Sequence, residues 1–276
     1  MFRLQDSLPA REGELLQSLR AWFAQQDAVC VAYSGGVDST LVAAIAYEQK
    51  GDGAFAVTGV SPALAPHLLE EARSQAAWIG IRHRECTTRE LADPAYSSNP
   101  IDRCFACKRE LHRHLQPIAV AAGAAQVIDG VNLDDLGDHR PGIEAARLAG
   151  VRSPLAESGI DKAAIRRLSQ ALGFPWWDKP AQPCLSSRFP YGESISAERL
   201  KRVGQAEAWL LSHGFSRVRV RCQGLSARIE IPRDRLLDLM QLNEREPLVS
   251  TMLGLGFTSV SLDLEGLVSG KLNREI

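Results

Sequence analysis

Four groups of residues in this chain of 276 have types and spacings that could do chemistry. The first is Ser34-Gly35-Gly36-Val37-Asp38-Ser39-Thr40, where the apolar run A-V-C-V-A-Y ends. Adjacent glycines let a backbone approach a ligand closely, and free N–H groups at a helix start point at negative charge. The turn is neither G-x-x-x-x-G-K-[ST] nor G-x-G-x-x-G, so it is an anion cradle of another kind. Asp38 has two open readings there, a helix cap or a group that orients Mg²⁺ on phosphates. The second group is cysteine: Cys104-x-x-Cys107, and Cys184 in the loop from Lys179 to Gly192. A thiolate is a nucleophile and metal ligand when cations lower its pKa, and Lys179 and Arg188 flank Cys184. Taken alone, C-x-x-C stays open between a redox pair and a zinc site, whose fourth ligand His112 or His114 could supply. Cys30, Cys86 and Cys222 lie in strand-like runs and read as packing. The third is Arg217, Arg219 and Arg221, whose alternation puts all three on one strand face. Guanidinium forks match phosphate oxygens; a solvated arginine row is the plainer alternative. The fourth is Asp129, Asn132, Asp134, Asp135, Asp138 and Arg140, after a strand end. They fit Mg²⁺ or a substrate group, or equally loop solvation and helix caps.

These residues need elements to hold them. Apolar positions recur at helical spacing over 10–26 (Leu15, Leu16, Leu19, Trp22, Phe23). A-V-C-V-A-Y and A-F-A-V-T-G-V are short apolar runs of the kind found in buried parallel strands. I-R-H-R-E-C is a weaker strand, and A-Q-V-I-D-G a fourth. Helices are predicted after the Ser34 turn, before Gly80, over 105–122 and over 161–172. This alternation predicts an α/β fold: a Rossmann-like open parallel sheet with helices on both faces. Beyond about 180 the pattern changes. A linker and active-site loop spans 181–194, and a smaller α+β domain spans 195–276. That domain opens with a helix over 196–211, continues as a hairpin (R-V-R-V-R-C and A-R-I-E-I-P) with one polar face, and ends with a helix and a strand.

The net charge is −1 and 45% of residues are hydrophobic, which points to a soluble globular protein without a general nucleic-acid or membrane surface. The N-terminal segment carries charge where a signal peptide needs an apolar run, and no apolar stretch approaches membrane-spanning length. A cytoplasmic location is expected, where a structural disulfide is a poor default.

Ser34-Gly35-Gly36-x-Asp38-Ser39 resembles the pyrophosphate loop of the N-type ATP pyrophosphatases. The resemblance implies that Ser34, Gly35, Gly36, Asp38, Ser39 and Thr40 bind ATP, which is split between its α and β phosphates. Together with Asp129–Gly142 and Lys179–Gly192, the turn resembles the LarE family, ATP-dependent sulfur transferases of the nickel-pincer nucleotide pathway. That likeness extends to R-V-R-V-R at 217–221, A-R-I-E-I-P at 227–232 and the tail at Leu262-Asp263-Leu264. It implies a pyridinium dicarboxylate mononucleotide substrate whose carboxylate is adenylylated and then converted to a thiocarboxylate. Cys184, Asp38 and Arg188 would be catalytic. Ser187, Arg219, Arg221, Arg140, Asn132 and Asp135 would bind substrate, and Glu207 and Asp238 stand as candidates for a divalent metal.

The family has two sulfur sources. Sacrificial members give up the sulfur of a cysteine one position before Cys184, where this chain has Pro183. A second subclass resembles cluster-dependent tRNA thiolases, in which a C-x-x-C and one distant cysteine hold a [4Fe-4S] cluster with one open iron. Cys104, Cys107 and Cys184 fit that arrangement. The expected cofactors are therefore ATP, Mg²⁺ and the cluster; the expected partners are a small nucleotide substrate and a second copy of the chain. Three alternatives compete. An amide-forming enzyme of the same loop family does not need the cysteines. A nucleotide-binding regulatory module leaves the cysteines and arginines unexplained. A tRNA thiolase predicts a broad basic surface.

Overall fold

The computed structural model describes residues 8–123, 126–137, 141–245, 247–268, 270, 271 and 274. Two compact units emerge. One comprises Met1–Ser61, Pro66–Glu90 and Asp102–Gln182; the other comprises Pro62–Ala65, Leu91–Ile101 and Pro183–Ile276. The division is thus not a single cut near 180. The second unit draws in two short N-terminal segments because the Cys184 loop bonds to both. Leu185 donates its N–H to the Ala63 carbonyl at 2.9 Å. Tyr96 and Ser186 share a buried hydroxyl–hydroxyl bond of 2.5 Å, and Asn99 Nδ2 donates to the Pro190 carbonyl at 2.6 Å.

The first unit runs α1 (Ala10–Ala24), β1 (Val29–Ala32), α2 (Val37–Lys50), β2 (Ala54–Val60), α3 (Pro66–Ile79) and β3 (Arg82–Thr87). After α4 (Pro94–Ser97), which lies in the other unit, it continues with α5 (Arg103–Ala121), β4 (Gln126–Ile128), α6 (Pro141–Leu148), α7 (Pro154–Glu157) and α8 (Lys162–Ala171). Its four strands are all parallel, in the order β3-β2-β1-β4. The central strands are apolar because helices cover them. Val29, Cys30, Val31, Ala54, Ala56 and Val57 are fully buried. The edge strand β3 carries Arg82, Arg84 and Glu85 outward, which blunts the edge against further pairing. α2 is small and apolar from Leu41 to Ala46 and is buried along that length. The short helices α4, α6 and α7 were not legible as apolar periodicity; each begins with proline, the residue pre-set for a first helical position.

The second unit continues with α9 (Ala197–Ser212), β5 (Arg219–Gln223), β6 (Ser226–Glu230), α10 (Leu236–Arg245), α11 (Leu248–Gly254) and β7 (Ser259–Leu262). β5 and β6 form the expected antiparallel hairpin, and β7 adds parallel to β6. Two helices stand where one was expected, broken at Pro247, which cannot continue a helix. The hairpin's arginine face is not solvated: Arg219 and Arg221 are 9% and 7% exposed. Arg217 precedes the strand and is exposed, so the row holds two arginines rather than three. Among the described residues no helix is long and apolar enough to cross a membrane.

Candidate active site

The Ser34 turn leaves the carboxyl end of β1 and opens α2, where ligands sit in open α/β sheets. Gly35 is at φ +68°, and a Cβ there would lie 3.0 Å from Ala72 of α3. Ser34 Oγ accepts from the Gly36 N–H at 3.3 Å and lies 3.1 Å from Ser39 Oγ, while Ser39 Oγ donates to the Gly36 carbonyl at 3.2 Å. Gly36 is the N-cap of α2 and offers no side-chain cap. Among the described residues the first-turn N–H groups therefore have no side-chain cap and suit an anion. Gly130, just past β4, abuts this turn so closely that a Cβ would lie 2.7 Å from Ser39 N. Thr40 departs from its expected ATP contact. It is fully buried, and its hydroxyl donates to Gln75 Oε1 at 3.0 Å.

Asp38 is not a helix cap. Both of its oxygens accept from Lys162 Nζ, at 2.6 and 2.5 Å. Lys162 begins α8, and its own N–H donates to Asp134 Oδ2 at 2.9 Å. Lys179 donates to the Gly35 carbonyl at 3.2 Å and pairs with Glu71. It is therefore bound to the turn, not the free cation beside Cys184 that adjacency in sequence implied.

The acidic loop is mostly self-contained. Asn132 is buried, and its Oδ1 accepts the N–H groups of Asp134 and Asp135 at 3.0 and 3.3 Å. Asp135 Oδ2 accepts the Asn132 N–H in return, at 3.2 Å. Substrate roles expected of Asn132 and Asp135 thus meet a turn that already uses these oxygens. Asp129 accepts from Ser153 Oγ at 2.8 Å and from the Val131 N–H at 3.1 Å; burial nonetheless pushes its carboxyl above the usual range. Asp138 and Arg140 lie outside the described residues.

Cys104 and Cys107 lie near the start of α5, three residues apart and so on one helix face. Cys104 is exposed and Cys107 half-buried. The first turn of α6 packs here: a Cβ on Gly142 would lie 3.0 Å from Lys108 Cγ and 3.8 Å from Cys104 Cβ. Cys184, in the second unit, is also exposed. Cys30 and Cys222 are buried, and desolvation raises both thiols, Cys30 to about 12. Cys86 is half-buried, and burial raises its thiol as well. Among the described residues no three His, Cys, Asp or Glu side chains converge as a metal site.

Arg188 does not present a free charge to Cys184. It is 6% exposed, and its Nε and Nη2 donate to Glu207 at 2.7 and 2.9 Å. Its Nη1 donates to the carbonyls of Pro183 and Cys184 and to Ser187 Oγ, at 3.0, 3.3 and 2.9 Å. Arg188 therefore holds the shape of the loop. Glu207, considered for a metal, is occupied as its counter-ion and also accepts the Val220 N–H at 2.8 Å. Asp238 is exposed and pairs with Arg235 of its own helical turn.

Arg221 spans Glu230 at 2.9 Å and the Ser187 carbonyl at 2.6 Å. Among the described residues no carboxylate pairs with Arg219, whose Nη1 donates to the Val268 carbonyl at 3.5 Å. Burial, then the neighbouring Arg221 and Arg188, push its pKa below the ordinary arginine value. Three crowded guanidiniums share two buried carboxylates, which leaves an excess positive charge. Beside them is a cavity of about 200 Å³ lined in part by Arg188, Arg221, Ser226, Arg228, Ser261 and Lys271. Sequence reasoning missed Lys162, Gly130 and the pairing of Glu207; the only signal for Lys162 was Asp161 as a helix cap before it.

No protein-family model matches the chain. An uncharacterized protein of Synechocystis is 56% identical over 259 residues, 94% of this chain and 97% of its own. Pyridinium-3,5-bisthiocarboxylic acid mononucleotide synthase of Lactiplantibacillus plantarum is 39% identical over 247 residues, 89% of this chain and 88% of its own. An uncharacterized protein of Methanocaldococcus jannaschii is 28% identical over 237 residues, 86% of this chain and 89% of its own.

Proposed function

The chain belongs to the LarE family, and from that premise we propose that it adenylylates a carboxylate of pyridinium-3,5-biscarboxylic acid mononucleotide and exchanges the activated oxygen for sulfur. The observation that carries this reading is the uncapped start of α2 behind Ser34-Gly35-Gly36, in a chain that also exposes Cys184. In the first step a substrate carboxylate oxygen bonds to the α-phosphorus of ATP, and pyrophosphate leaves with the electron pair of the broken P–O bond. In the second, a sulfur nucleophile attacks the acyl carbon, and AMP leaves with the former carboxylate oxygen. The turn's N–H groups hold the departing phosphates. Asp38 is the hard oxygen donor beside them for Mg²⁺, which supplies charge neutralisation when bound.

Cys104, Cys107 and Cys184 would hold the [4Fe-4S] cluster. When bound with three protein thiolates, it offers one iron for an extra sulfide. The exposure of Cys184 also supports a second reading, in which its own sulfur is transferred and dehydroalanine remains. Arg219, with Arg221 and Ser187 beside it, is the site for the substrate's phosphate, since it is buried and, among the described residues, has no carboxylate partner. The exposed apolar side chains Leu237, Met240, Val249 and Leu253 on α10 and α11 support a homo-oligomer.

The test is ATP–pyrophosphate exchange. Exchange stimulated by the pyridinium dicarboxylate nucleotide, and not by a tRNA or a simple carboxylate, is the expected result; exchange without that preference overturns the substrate assignment. Arg219→Ala should weaken nucleotide substrate binding while ATP binding persists, and loss of both would remove the phosphate assignment.

A further inference from the structure

We propose that Lys162 is the cation that stabilises the pyrophosphate leaving group, an inference that rests on the adenylylating reading above. Pyrophosphate departs with several negative charges, yet Ser34–Thr40 contains no lysine or arginine. Backbone N–H groups supply only the partial charge of a helix start, about half an elementary charge. Besides Lys179, the structure brings a full charge to the turn from 124 residues away. Lys162 Nζ lies 2.6 and 2.5 Å from the two oxygens of Asp38, in the first turn of α2.

The backbone of Lys162 is fixed from both sides. Asp134 accepts its N–H, and Asp161 caps α8 by accepting the Ala164 N–H at 2.7 Å. Its four-carbon stem is not locked in the same way: the side chain is 35% exposed, and that of Asp38 25%. A half-exposed pair of this kind contributes only about 0–1 kcal/mol to stability, so fold stability alone gives little reason to bring α8's first residue to this turn. Lys179, the other nearby lysine, is 13% exposed and bound to the Gly35 carbonyl and to Glu71. It braces the turn, whereas Lys162 is more exposed and pairs with Asp38. As the bond from the α-phosphorus to the bridging oxygen breaks, negative charge grows on the pyrophosphate oxygens. Lys162 meets that charge without a proton transfer and exchanges Asp38 for phosphate.

The test uses full-length wild type, Lys162→Gln and Lys162→Arg, with magnesium pyrophosphate and AMP as separate calorimetric probes. Lys162→Gln is expected to weaken pyrophosphate binding by about tenfold or more, as loss of a charge-assisted bond implies, with AMP binding within about twofold. Its exchange kcat should fall by about 10²-fold. Lys162→Arg should recover most of the pyrophosphate affinity. Unchanged pyrophosphate binding in Lys162→Gln overturns the proposal while leaving the adenylylating reading intact. Equal loss of both probes without recovery in Lys162→Arg makes Lys162 a structural prop and also overturns it. If wild type binds neither probe, the underlying reading itself has failed.

Discussion

Arg188 forms a two-pronged ion pair with Glu207, and both residues are almost entirely withdrawn from solvent. Removing one partner leaves the other charged and buried, which costs about 3–5 kcal/mol. Glu207→Ala should lower unfolding stability by that order in urea titrations. The double change Arg188→Met/Glu207→Leu should cost less than the two single changes combined, because it leaves no orphan charge. Additive losses would mean that the pair is not the reason these residues are buried.

Gly130→Ala should damage the proposed ATP site from outside the motif. The added methyl would lie 2.7 Å from Ser39 N and 3.0 Å from Ser39 Cα, both backbone atoms that cannot rotate away. The start of α2 must shift to admit it, at about 1–3 kcal/mol. Thermal melting should show that loss, and ATP affinity should fall by more than it does in Gly150→Ala, where a Cβ meets nothing within 4 Å. Gly150 has φ +72°, a backbone strain that Gly130 does not carry, so the comparison that decides is ATP affinity and not the melting temperature.

The sheet was legible because periodicity and punctuation agreed. Buried runs such as Val29–Ala32 are continuous, and Gly80 and Gly173 close their helices at positive φ. The SGGVDS turn was legible as a glycine-rich helix start because glycine and helix-start chemistry are local. What the sequence hid depends on contacts between distant positions. Thr40 reads as part of the turn but packs on Gln75, and Arg188 reads as a neighbour of Cys184 but belongs to Glu207. An alternating R-V-R-V-R likewise cannot show that a loop carbonyl, that of Ser187, covers the arginine face.

Thiol footprinting separates the cysteines by environment. In metal-free protein at neutral pH, Cys184 and Cys104 should alkylate with iodoacetamide first. Cys30 should stay unmodified until the chain unfolds, since burial both blocks it and raises its thiol to about 12. In anaerobically purified protein, joint protection of Cys104, Cys107 and Cys184, with about four irons per chain, would support the cluster. Loss of one hydrogen sulfide from Cys184 after turnover would instead establish the sacrificial route.

His112 should make the fold acid-sensitive. It is 2% exposed, and among the described residues neither ring nitrogen has a hydrogen-bond partner. Burial, then the charge of Lys108, push its pKa down to about 4. An unfolded histidine titrates near ~6.5, so between these values the unfolded chain takes a proton that the folded chain refuses. Stability is therefore full above the unfolded value, falls as pH drops through that window and reaches its full loss below the folded value. The full loss is on the order of 3 kcal/mol. Asp129 acts with the opposite sign: its raised carboxyl takes up a proton more readily when folded, which offsets part of the loss at the acid end. His112→Leu removes the titrating ring. Urea midpoints at pH 7, 5 and 4 should then decline less steeply than in wild type, and parallel declines would show that His112 is not the group responsible.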